Sequence, residues 1–350
     1  MFAADTNAVA VPVSGASRKE SLVTWKEIAE PLEPFLKAVA ARLARQVHEF
    51  DPAILTYAEY SLTGQGKQLR PALVGLSGRA TGDLNDSHIT VAVIIEMVHL
   101  ATLVHDDVMD EAEIRRGRLS LAANWGNEIA VLFGDCLFAH ALKLASSFPT
   151  PEICRAVSSA TNTVCSGEIL QTQQRRNFQF SQADYFKVLE MKTAELFALS
   201  CELGACLSQA PMVERIALRQ FGTALGTAYQ LYDDCLDLFG SEAIAGKSLG
   251  TDLAKGKLTL PILLLWQKAD KGERTRLEAM IADWKPQSFP AVLALLNKYG
   301  SLAASIEFIQ RFLAQARLAI KVLPERQSVS GLVGLTEFLA LQTQALGNCV

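Results

Sequence analysis

Apolar positions recur three and four residues apart through nearly the whole chain after Ser21, a spacing that lays one apolar stripe along a helix. The pattern predicts helices at roughly 24–48, 52–61, 68–80, 87–111, 126–146, 152–172, 182–208, 213–239, 259–268, 273–283, 290–297, 301–322 and 328–346. Glycine and proline punctuate several gaps: Thr63-Gly-Gln-Gly66, Arg116-Gly117, Phe148-Pro-Thr-Pro151, Gln209-Ala-Pro211 and Trp284-Lys-Pro286. Alternating β-branched runs joined by Asn-Gly or Asp-Gly are scarce, and no short-period repeat is present. The expected fold is all-α, a single large helical bundle over residues 21–350. Residues 1–20 lack the basic start and apolar run of a signal peptide and carry no basic residue before Arg18, so a disordered tail is expected there.

Two of these helices are apolar almost all round until their last turns. Val91 to Val104 and Phe221 to Tyr232 do not resemble solvent-facing helices, and each leads into an Asp-Asp-x-x-Asp cluster. The clusters are Asp106, Asp107 and Asp110 in the first and Asp233, Asp234 and Asp237 in the second. Carboxylates at i and i+4 share a helix face about 6 Å apart along the axis, so each pair is able to grip one object. A lone acidic run is ordinarily a solvated face. Six carboxylates at the ends of apolar helices instead repel one another and lose hydration unless cations meet them. An all-oxygen donor set without zinc-type His/Cys spacing favours a hard ion such as Mg²⁺, and magnesium favours phosphate as co-ligand.

Projected at 100° per residue, His99, Thr102, Asp106 and Asp110 lie within about 40° of Asp106, and Gly222, Gly226, Tyr229, Asp233 and Asp237 cluster similarly about Asp233. The two aspartate faces therefore continue backwards as facing walls of one cavity. Gly222 and Gly226 cost about 1 kcal/mol each in mid-helix, which calls either for a ligand or for another backbone at close range.

Composition narrows the picture. Half of the 350 residues are hydrophobic, enough for one large core. A net charge of -4 with dispersed basic residues gives no ground for a nucleic-acid partner. The seven cysteines, Cys136, Cys154, Cys165, Cys201, Cys206, Cys235 and Cys349, lack disulfide-framework or zinc spacing and read as reduced core residues. The longest apolar stretch, 91–104, is broken by Glu96 and His99 and is too short for a bilayer, so a soluble, cytoplasmic protein is expected.

Basic residues lie beside the acidic clusters in sequence. Gly64-Gln-Gly-Lys-Gln-Leu-Arg-Pro71 sets Lys67 and Arg70 in a glycine-rich loop entering a helix, where N–H groups and the helix dipole also favour an anion. Arg115-Arg116-Gly117 follows the first cluster. The Gly/Lys-rich segment 246–261, with Lys247 and Lys257, follows the second and suits a lid that closes over a metal-bound diphosphate. It is no Walker A loop, because Leu258 stands where Ser or Thr is required after Gly256-Lys257.

With these residues in view, the chain resembles the trans-type isoprenyl diphosphate synthases of the polyprenyl synthetase family over roughly residues 24–345. The resemblance rests on GKxLRP at 66–71, Glu96-Met-Val-His99, both aspartate clusters, Arg115-Arg116-Gly117, Gly134-Asp135, Gly167-Glu168, Lys192-Thr193-Ala194, Gln230, and the GKxxGxDLxxGKxTLP loop. It implies that Asp106, Asp107, Asp110 and Asp233 hold a cluster of several Mg²⁺ ions on an allylic diphosphate, with Asp234 and Asp237 in support. Arg115, Lys192, Lys247 and Lys257 then bind that diphosphate, and Lys67, Arg70, His99 and Arg116 bind isopentenyl diphosphate, with Thr193 and Gln230 near the forming carbocation. One departure is Gln68, where the family commonly has Arg.

Ala101 and Thr102, five and four positions before Asp106, are small where short-chain synthases carry bulky aromatics. The resemblance therefore implies a medium- or long-chain product, of the quinone side-chain precursor type, with Phe133 and Phe138 as candidate cavity floors. A geranylgeranyl or shorter product, a class I terpene cyclase and a non-catalytic accessory subunit are the rivals. A second complete aspartate cluster and the Lys67/Arg70/His99 set favour condensation over cyclisation. The family also implies a homodimer, and a long product implies transient membrane contact on release.

Overall fold

The computed structural model describes residues 24–63, 66–242, 248–324 and 327–346. Its main helices are α1 (Glu33–Arg45), α2 (Leu55–Leu62), α3 (Leu69–Thr81), α4 (Asp86–Met109), α5 (Asn127–Ser146), α6 (Glu152–Gln173), α7 (Gln182–Leu189), α8 (Glu195–Leu207), α9 (Met212–Phe239), α10 (Leu260–Lys268), α11 (Lys271–Ala282), α12 (Phe289–Lys298), α13 (Ser301–Ala319) and α14 (Gln327–Leu346). The all-α expectation holds. The only strands among the described residues are β1 (Ile114–Arg115) and β2 (Arg118–Leu119), antiparallel across a turn at Arg116 and Gly117. Both turn residues have positive φ, 53° and 76°, as the tightest hairpin turns require. The sequence marked a break here, and two-residue strands are too short to leave a period.

The helix expected over 24–48 is divided by Pro31 and Pro34 into a short helix Trp25–Ala29, a 3-10 turn Glu30–Leu32 and α1. The helix expected over 182–208 is interrupted by a π turn, Glu190–Ala194, between α7 and α8. Local terminators are visible at other ends. Asn85 caps α4 by accepting from the N–H groups of Ser87 and His88, and Pro211 precedes α9.

Helix α8 is apolar on all sides because it divides two cores. Leu196, Leu199 and Leu203 join the core built with α4 and α6, whereas Phe197, Cys201 and Ala205 join the one built with α3 and α9. Its neighbours come very close. A Cβ on Gly222 of α9 would lie 2.6 Å from the Phe197 carbonyl oxygen, and one on Gly226 would lie 2.7 Å from the Ala194 Cα. One on Gly204 would lie 2.5 Å from the Val74 carbonyl oxygen of α3. Of the two reasons open for Gly222 and Gly226, another backbone at close range is the one found.

The apolar stretch 91–104, expected to be too short for a bilayer, is part of the 24-residue α4. Both α4 and α5 are long and apolar enough to cross a membrane. In α4, 61% of the most apolar window is buried against the rest of the protein, but in α5 only 39% is. Val131 and Leu132 of α5 are accordingly exposed, as is Ile169 on the adjacent α6.

Candidate active site

The first acidic cluster closes α4, and each of its carboxylates is met by a cation. Asp107 is buried and accepts from the Arg115 Nε of β1 at 2.8 Å. Asp106 lies 3.6 Å from Lys192 Nζ, which is 2.5 Å from Glu168 and donates to Gln171 at 3.0 Å, both on α6. Asp110 receives Lys257 at 2.9 Å, Lys255 at 3.2 Å and Arg175 at 3.1 Å. Burial alone would raise the Asp110 carboxyl, but Lys257 and Lys255 overcome it and hold the group at about 2. At Asp107 burial wins over Arg115 and the carboxyl moves upward. Burial would lower the Lys192 ammonium, yet Asp106 and Glu168 outweigh it and raise it.

Lys192 and Thr193 are presented by the π turn, whose extra residue widens one helical turn toward the cavity. Gly167 lets α6 approach: a Cβ there would lie 2.8 Å from the Lys192 backbone nitrogen.

The second cluster ends α9 and is arranged differently. Asp233 is half-buried, while Asp234 and Asp237 turn inward and are buried. Asp234 accepts from the Tyr185 hydroxyl and from Gln230 Nε2 at 2.8 Å; the Thr193 hydroxyl in turn donates to Gln230 Oε1 at 3.0 Å. Burial first, then the neighbouring Asp252, pushes the Asp234 carboxyl upward. Asp237 ties down the Gly/Lys-rich segment, accepting from the Thr251 hydroxyl at 2.6 Å and from the Thr251 and Asp252 N–H groups at 3.3 and 3.1 Å. Among the described residues no three His, Cys, Asp or Glu side chains converge on one metal-sized point. The donor chemistry nevertheless fits a hard cation: carboxylate oxygens throughout, three of them balanced by side-chain cations that are free to exchange partners.

A second group of cations stands beside the first. A Cβ on Gly66 would meet the Arg116 guanidinium at 2.6 Å, so the loop carrying Lys67 lies directly on Arg116. Arg70 is set over the Phe197 ring at 5.1 Å and interacts electrostatically with Glu96, Tyr229 and Arg116. Burial, followed by Arg70, Arg116 and Arg115, drives His99 well below its usual value, so its imidazole is neutral at pH 7. Burial also brings the Lys67 amine down to about 8. Four of the five non-glycine residues with positive φ among the described residues flank these polar groups: Gln68, Glu111, Arg116 and Arg176. Strained backbone of this kind concentrates where function over-determines geometry.

The structure thus gathers Asp106, Asp107, Asp110, Lys192 and Lys257 with Arg115, and Lys67, Arg70 and His99 with Arg116. Lys247 lies outside the described residues. Ala101 is fully buried in the core that contains Phe133, and Thr102 is half-buried with its hydroxyl donating to the His99 carbonyl at 2.7 Å. Phe133 packs edge-on to Tyr57 with ring centres 6.2 Å apart, and Phe138 sits 5.6 Å from the His105 ring. Residues without an assigned role in the sequence reading join the site: Glu168, Gln171, Arg175, Tyr185 and Lys255. Glu168 was quoted only as a motif position, and Lys255 stands at a variable position of the Gly/Lys segment. For Arg175 and Tyr185 no local signal exists.

Comparison with known proteins agrees with this arrangement. The polyprenyl synthetase family profile matches residues 51–297. The chain is 32% identical over 319 residues to an octaprenyl diphosphate synthase of Haemophilus influenzae, covering 91% of this chain and 97% of that relative. It is similar in structure to a decaprenyl diphosphate synthase from Rhodobacter capsulatus, with a TM-score of 0.86, 30% identity, and 91% and 99% of the two chains covered. A polyprenyl synthase from Caulobacter crescentus, solved with calcium and isoprenyl diphosphate, gives a TM-score of 0.86 at 31% identity and covers 92% of this chain and 98% of its own.

Proposed function

The chain belongs to the polyprenyl synthetase family and is a prenyltransferase that makes polyprenyl diphosphates, and from that premise we propose a Mg²⁺-dependent condensation of isopentenyl diphosphate with an allylic diphosphate, giving a long all-trans chain. One observation carries this reading. Consecutive residues of one hairpin serve two anion sites, Arg115 reaching the first acidic cluster and Arg116 the Lys67/Arg70/His99 group. Two diphosphates bound side by side are what such a pair of sites suits.

Asp106, Asp107, Asp110 and Asp233, with Asp234 and Asp237 in support, would hold Mg²⁺, which when bound would supply positive charge to the departing diphosphate. Arg115, Lys192, Lys257 and Lys247 bind the departing diphosphate. Lys67, Arg70 and Arg116, with neutral His99 as a hydrogen-bond donor, hold the second diphosphate so that its double bond faces the cation. Thr193 and Gln230 line the cation with oxygens whose orientation Asp234 and Tyr185 fix. The aliphatic proton released after bond formation goes to the departing diphosphate, and no protein nucleophile is required.

We further propose that the protein acts in the cytoplasm as a homodimer through the exposed α5 face of Val131 and Leu132 with Ile169, and that long products leave into a membrane. Light scattering that gives a single 38.0 kDa chain would remove the dimer. The deciding experiment incubates purified protein with labelled isopentenyl diphosphate and each allylic primer, with Mg²⁺ or chelator, and separates products by length. Metal-dependent long chains are expected. Cyclic products from one substrate would make it a cyclase, and no product without a second protein would make it an accessory subunit.

A further inference from the structure

Asp110 carries one negative charge and is met by three positive ones from two separate segments. Arg175, in the turn after α6, reaches Oδ1, and Lys255 and Lys257, in the Gly/Lys segment, reach Oδ2. Three cations on one carboxylate, with Glu168 also acting on Lys257, leave N–H donors over for a bound anion. Arg175 gives the direction: its Nε–H is buried and meets no acceptor among the described residues, although its terminal nitrogen is bonded to Asp110. A buried donor of this kind costs free energy until an acceptor arrives.

The turn is also tied directly to the segment. The Arg176 N–H donates to the Gly256 carbonyl at 2.7 Å, and a Cβ on Gly256 would lie 2.6 Å from Arg176 Cγ. Arg176 adopts φ 60° to make this fit. Arg175 is thereby fixed beside Lys255 and Lys257 at the mouth of the site.

We propose that Arg175, together with Lys255, binds oxygens of the allylic diphosphate, adding two cations to the set that neutralises this leaving group. The planar guanidinium offers Nε and a terminal nitrogen on one edge, a fork that fits two phosphate oxygens. The inference rests on the diphosphate reading of the site and names residues that this reading does not contain.

Calorimetric titration of the protein with inorganic pyrophosphate in Mg²⁺ tests it. Arg175→Gln is expected to weaken pyrophosphate binding about 10-fold and Lys255→Gln by a smaller factor, while Arg175→Lys recovers part of the loss. In turnover, the KM for the allylic diphosphate should rise in step with the KM for isopentenyl diphosphate unchanged, a split that a general loss of structure does not produce. Unchanged pyrophosphate affinity in both Gln variants overturns the proposal. So does tighter binding, which would make Arg175 a competitor of the metal for Asp110. A wild-type protein that takes up no pyrophosphate would overturn the diphosphate reading itself, and this inference with it.

Discussion

Individual side chains here hold charge in places that favour it only when a ligand is present. Burial lowers Lys67 from 10.5 to about 8, so the folded state bears a cost for its charged form below about pH 8 that fades as pH rises through the unfolded value. Function runs the other way, because the protonated amine is the form that meets a diphosphate. The kcat/KM for isopentenyl diphosphate should therefore fall as pH rises above about 8, and Lys67→Arg should flatten that limb; a pH profile identical in both proteins would contradict the assignment. Asp106→Asn is expected to leave circular dichroism unchanged and reduce turnover by roughly 100-fold or more, since an amide is a poorer magnesium ligand. Near wild-type rates would remove the central claim. The aspartates were legible because i, i+4 spacing beside apolar runs is a local pattern. Tyr185 and Arg175 were not, because their partners Asp234 and Asp110 lie 49 and 65 residues away in sequence.

Among the elements, α8 was legible as a buried helix but its company was not. A run such as Leu196-Phe-Ala-Leu-Ser-Cys201 announces burial on every side, whereas the neighbours on each side depend on the whole topology. The glycines of α9 are the local trace of that packing. Gly226→Ala is expected to lower stability by about 1–3 kcal/mol, despite the better helix propensity of alanine, because the new methyl meets the Ala194 backbone. A denaturation midpoint equal to or above wild type would show that α8 and α9 separate easily. The π turn was equally hidden. Its five residues, Glu-Met-Lys-Thr-Ala, are ordinary helix formers, and nothing in their composition distinguishes a wide turn from a regular one. Tyr185 on α7 reaches Asp234 on one side of this turn, and α8 on the other keeps its two-sided packing.

At the scale of the molecule, the all-helical bundle followed from periodicity, and the route of the product did not. Ala101 is packed in the core between α4 and α5, so Ala101→Phe carries an overpacking cost of about 1–3 kcal/mol together with its expected effect, a shorter product. Product chromatography at a temperature where the variant remains folded checks this. An unchanged length distribution would move the route away from that face of α4. The tethering of residues 250–257 also sets how the bundle opens. One end is riveted to α9 by neutral and backbone donors on Asp237, and the other is buttoned to α4 by the Lys255 and Lys257 ammonium groups on Asp110. The button is electrostatic and the rivet is not, so changing a charge at Lys255 or Lys257 loosens only the α4 end. An opening of this mouth would therefore work as a hinged hatch rather than a drawstring, swinging from the neutral bonds on the α9 side and unlatching at the ion pairs on α4.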